Sequence, residues 1–147
     1  MTLQSWLRND WLQPHATSRN EVADLFAVIE RDLADCRAAG LSADWRLSIA
    51  YNAALQAATI ALAASGYRVA REAHHYRIIQ SLVHTIAAPP SLIAQFDQFR
   101  KKRNLGGYER AGVASDQEAE EMFMLAKQIR DDVSAWLRRT QPELMET

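Results

Sequence analysis

Between Arg46 and Arg68 the chain carries no charged side chain. A bilayer-spanning helix needs about 20 apolar residues, so this stretch is long enough to cross a membrane. Yet Ser48, Asn52, Gln56, Thr59 and Ser65 interrupt it, and alanine supplies most of its apolar content. Alanine contributes little to insertion and side-chain amides oppose it. The stretch therefore predicts a buried central helix over about 42–65, apolar on all sides, with Gly66 as its stop. Its small residues, Ala50, Ala54, Ala57, Ala58 and Ala61, would let another helix approach closely.

The other segments read as amphipathic helices. Ser18 and Glu21 have capping-box spacing, and Val22, Leu25, Phe26, Ile29, Leu33 and Cys36 follow at helical intervals as far as Gly40. A third helix puts His75, Ile78, Ile79, Leu82, Val83 and Ile86 on one face, and Pro89 and Pro90 end it. A short fourth helix has Leu92, Phe96 and Phe99 inward and ends near Arg103. Ser115 and Glu118 open the last helix, whose stripe is Met122, Leu125, Ala126, Ile129, Val133, Trp136 and Leu137. No period-two alternation marks a strand. Short loops between such helices make an all-α, up-and-down bundle of four to five helices. Residues 1–147 read as a single domain, with 1–17 an N-terminal extension and 18–139 the bundle.

At 147 residues, 48% hydrophobic and 24% charged, with net charge -1, the chain offers no global attraction for nucleic acid or membrane. One cysteine, Cys36, leaves no intramolecular disulfide and reads as a buried thiol. The N-terminus has no basic region followed by an apolar core, so no signal peptide is expected and the location reads as cytoplasmic, with no membrane partner. Phosphate-binding and dinucleotide glycine loops and the serine-hydrolase elbow are missing. Glu72 and His75 form one E-x-x-H pair where a di-metal bundle needs two, so neither metal nor cofactor is expected. The four tryptophans, Trp6, Trp11, Trp45 and Trp136, read as core or interface anchors.

One local charge cluster remains. Arg100, Lys101, Lys102 and Arg103 precede Asn104, Gly106, Gly107, Tyr108 and Arg110. Cations before an Asn-and-glycine stop are common at helix ends. They also suit phosphate, because guanidinium forks bind its oxygens in pairs. Arg100 and Arg103 share a helix face near Phe96 and Phe99, whereas Lys101 and Lys102 point elsewhere. A turn at Gly106–Gly107 would fold Tyr108 back toward Arg103 and Asn104.

The stretch "RNLGGY" resembles the signature of HEPN domains, small helical bundles marked by an arginine, a polar residue and, after a short gap, a histidine. "AYNAALQAATIALAASGYR", "HHYRIIQSLVHTI" and "GVASDQEAEEMFMLAKQIRDDV" resemble the second, third and last helices of bacterial HEPN proteins. The resemblance covers roughly residues 19–139. Arg103 takes the arginine place, Asn104 the polar one, and Tyr108 stands where the histidine would be.

The resemblance implies a homodimer, for which the alanine face of the central helix offers a packing surface. It also implies RNA or a nucleotide as ligand, and a nucleotidyltransferase antitoxin as partner. Many such proteins are metal-independent endoribonucleases, which would make Arg103, Asn104 and Tyr108 catalytic. Arg100, Lys101, Lys102 and Arg110 would then hold nucleotide or RNA. A phenol with a pKa near 10 is a poor general base at neutral pH. That places a binding or accessory module ahead of an active ribonuclease.

Overall fold

A mostly buried helix, exposed at Trp45 in its first turn, is the axis of the molecule. The computed structural model describes residues 1–71, 74–108 and 111–145, with backbone alone for 105–108. Its helices are α1 (Leu3–Arg8), α2 (Arg19–Asp35), α3 (Ala43–Ala64), α4 (His74–Thr85), α5 (Pro90–Tyr108) and α6 (Asp116–Thr140). Two short strands, β1 (Leu12–Pro14) and β2 (Tyr67–Val69), and a single 3-10 turn at Pro142–Leu144 complete the order. The architecture is a helical bundle.

Helix α3 runs through the middle and packs against α2, α4, α5 and α6. By length and composition it could cross a membrane, but two-thirds of its apolar window (67%) is buried inside the fold. Ala50, Ala54, Ala57, Ala58 and Ala61 are each 0% exposed. The small-residue face is thus filled by helices of the same chain, and the expectation that it packs a second copy is overturned. An alanine brings little bulk, so neighbouring helices close over it before another molecule can reach it.

The ends of the helices follow side-chain chemistry. The Ser18 side chain accepts from the Glu21 N–H, but the Glu21 carboxylate turns to His15 and Thr17 instead of closing a box. At α6 both halves of the Ser115–Glu118 box form. Gly66 takes φ +100°, beyond the reach of most side chains, and stops α3 just after Ser65. Helix α4 ends at Thr85, and Pro90 opens α5, where a missing N–H costs nothing.

Three expectations change. Val83 is 44% exposed, so the apolar face of α4 is narrower than its sequence suggests. Strands exist: β1 pairs antiparallel with β2, Leu12 opposite Val69 and Pro14 opposite Tyr67. Three residues are too few to display alternation, and the partners lie some 55 positions apart. Residues 1–17 carry α1 and β1, and Trp6 and Leu12 pack with Leu62 of α3 in a small satellite core. The third change concerns α5. It does not end near Arg103 but continues through Gly106 and Gly107 to Tyr108. Glycine lowers helix preference by about 1 kcal/mol relative to alanine without forbidding the backbone, so a glycine pair is not by itself a stop.

Candidate functional site: a cationic edge around His75

The site is built by α3, α4 and α5. The central helix contributes Tyr51, whose ring is buried and packs edge-on against Phe96 at 5.6 Å between centroids. Helix α4 contributes His75, half-buried, with Nδ1 3.2 Å from the Tyr51 hydroxyl. Helix α5 contributes two arginines on one face, three residues apart. The Arg103 guanidinium carbon lies 5.7 Å from the centre of the Tyr51 ring, and that of Arg100 lies 5.5 Å from the Tyr76 ring. Both distances are within the range of cation–π attraction.

Burial pushes the Tyr51 phenol well above its usual pKa, while Arg103 and Arg100 pull in the opposite direction. The phenol therefore keeps its proton. We assign that proton as donated to Nδ1, which places the imidazole hydrogen on Nε2. Burial also lowers the His75 pKa, and His74, Arg103 and Arg100 lower it further. The result is a neutral imidazole offering an N–H, beside two guanidinium groups. Every one of these groups is a donor, and donors with positive charge suit an anion.

The four cations of the run separate into different duties. Arg100 Nε donates to Asp97 Oδ1 at 2.7 Å, which fixes its guanidinium along α5. Lys101 is exposed, 3.7 Å from the same carboxylate. Lys102 reaches Glu118 Oε2 at 2.8 Å and lies 3.5 Å from the Val113 carbonyl, so it ties α5 to the start of α6. That lysine is a brace, not a loose attractor of polyanions. The Lys102 bond is also the largest cause holding the Glu118 carboxyl below its ordinary pKa. Asn104 is exposed.

The residues taken from the motif are not gathered by a turn. The backbone of α5 stays helical through Gly106 and Gly107, so no turn at the glycines folds the chain back. The side chain of Tyr108, and Arg110 and Glu72 altogether, lie outside the described residues. What stands next to the motif arginine is instead Tyr51 and His75. Neither was singled out from sequence for this role. The one available signal was a large phenol set in an alanine-rich helix.

Fold and site together define a helical bundle with a cationic, histidine-bearing edge. No protein-family model, curated protein or solved structure matches the chain.

Proposed function

We propose that this protein is a HEPN-like, up-and-down helical module that binds a phosphate-bearing ligand, a nucleotide or RNA, along the edge formed by Arg103, Arg100 and His75. The observation that carries the reading is that two guanidinium groups of α5 and the His75 imidazole of α4 lie close enough to act on one another, with Tyr51 bonded to the imidazole and under Arg103. Such a site takes phosphate through charge-assisted bonds, and its affinity falls steeply with salt. The module acts as a homodimer and pairs with a nucleotidyltransferase antitoxin. Tyr76 and Val83, two turns apart on α4, are both exposed, and Tyr76 lies against Arg100 of this edge. Pairing through them would bring two basic edges together.

A metal-independent endoribonuclease is the second reading, and His75 is the observation that favours it. The family's mechanism needs an imidazole near the arginine, and here one comes from α4. In the tautomer assigned above, Nε2 carries a proton, so His75 serves as donor before it can serve as base. Binding therefore stands ahead of cleavage.

The test is fluorescence anisotropy with a labelled single-stranded RNA and with a labelled nucleotide at low salt, then at rising salt. Arg103→Ala should abolish binding, and Lys101→Ala should only reduce it. Wild-type protein that bound neither probe at low salt, or an Arg103→Ala protein that bound as well as wild type, would refute the reading. Gel analysis of the same RNA reports cleavage. Light scattering of wild type and Val83→Arg tests the dimer: a monomer mass for wild type at micromolar concentration would rule it out.

A further inference from the structure

Next to the basic edge, α2, α3, α4 and β2 surround a cavity of about 630 Å3. That volume falls in the range typical of small-molecule sites, about 300–1,000 Å3. Its walls are apolar: Leu25 from α2, Leu62 and Ala63 from α3, Ile78 from α4 and Val69 from β2. Its mouth is cationic. Arg68 and Arg71 stand there with His74. Arg68 Nε donates to Gln13 Oε1 at 3.0 Å, a cross-strand bond that holds the guanidinium at the opening.

Among the described lining residues Glu21 is the one carboxylate, and it is already engaged. His15 Nε2 lies 2.7 Å from Glu21 Oε1, and the Thr17 hydroxyl donates to the same oxygen at 2.7 Å. Two guanidinium groups against one carboxylate leave a net positive charge among the described lining residues. Apolar walls below a pair of guanidinium groups select a molecule of matching polarity.

We propose that this cavity binds a small apolar molecule bearing a single carboxylate, its hydrocarbon body against Leu62, Ala63 and Ile78 and its carboxylate on Arg68 and Arg71. The proposal does not rest on the phosphate-binding reading, although the two sites adjoin, the His74 ring lying 5.5 Å from that of His75. Carboxylate and guanidinium match in geometry as well as charge, and an alcohol of the same length would lose that pairing.

Calorimetric titration of the full chain with decanoate, below its micelle-forming concentration, tests the proposal. Decanoate should bind saturably at one per chain, and decanol about tenfold or more weaker. The Arg68→Glu/Arg71→Glu double variant should lose about tenfold or more in decanoate affinity while binding decanol as wild type does. Both arginines are exposed, so this variant keeps the fold, which circular dichroism checks. Thr59→Trp, which fills the cavity from α3, should abolish binding of both probes. The absence of saturable decanoate binding overturns the proposal. So does decanoate affinity unchanged by reversing the two arginines.

Discussion

The Tyr51 hydroxyl and His75 Nδ1 are 3.2 Å apart, which ties the core of the bundle to its charged edge. Tyr51→Phe removes the hydroxyl and leaves the ring. The imidazole should then lose its preference for the Nε2–H tautomer, visible in the nitrogen chemical shifts of His75. Stability should fall by about 1 kcal/mol, the usual net value of one hydrogen bond. Nδ1 shifts identical to wild type would show that the phenol does not set the tautomer.

Phosphate binding should strengthen as pH falls below neutrality. In the free protein, burial and the neighbouring His74 and arginines keep His75 neutral. A bound anion favours the imidazolium, so binding takes up a proton, and lower pH assists it. Affinity for RNA at pH 5.5 should exceed that at pH 7.5, and His75→Ala should flatten the dependence. An unchanged slope in that variant would remove His75 from the site.

Asp44 governs the loop that follows the site. Its carboxylate accepts from the Ala114 N–H at 2.9 Å and from the Gly112 N–H at 2.5 Å, linking the start of α3 to the approach to α6. These bonds, Ala114 first and then Gly112, hold its pKa below 3.8. A carboxyl whose folded pKa is depressed stabilises above its unfolded pKa, and the contribution is lost as pH falls through the folded value. Asp44→Ala should cost about 1 kcal/mol at pH 7 and less in acid, where the carboxylate takes up its proton, the value staying small because solvent screens a partly exposed group. Urea denaturation at pH 7 and in acid measures the difference.

A second polar tie lies deeper. Asp32 of α2 is buried, and Asn52 Nδ2 of α3 donates to its Oδ2 at 2.7 Å. Asn52→Leu leaves that oxygen without its donor, and stability should drop by about 1–3 kcal/mol. A shift in the urea midpoint with unchanged slope would report it. An unshifted midpoint would show that the amide is dispensable.

The sequence by itself determined α2, α3, α4 and α6, but neither α1 nor the full length of α5. A charge-free alanine-rich stretch can only be a core helix or a membrane span, and its amides decide for the core. The Ser115–Glu118 box and the stripe from Met122 to Leu137 are local patterns, set by hydrogen bonding and by the 3.6-residue period, so α6 is legible before any folding. Tertiary structure alone decided what those helices meet. The alanine face of α3 reads as a surface for a second copy, yet its own chain covers it. The strands β1 and β2 pair across a separation at which no local pattern survives. Arg103 was legible as a cation on a face with Arg100, but Tyr51 and His75 come beside it only because α3, α4 and α5 pack together. Backbone preference is a short-range property that residues carry with them. A site assembled from three helices depends on contacts between positions far apart in the chain, and those exist only once the bundle has closed.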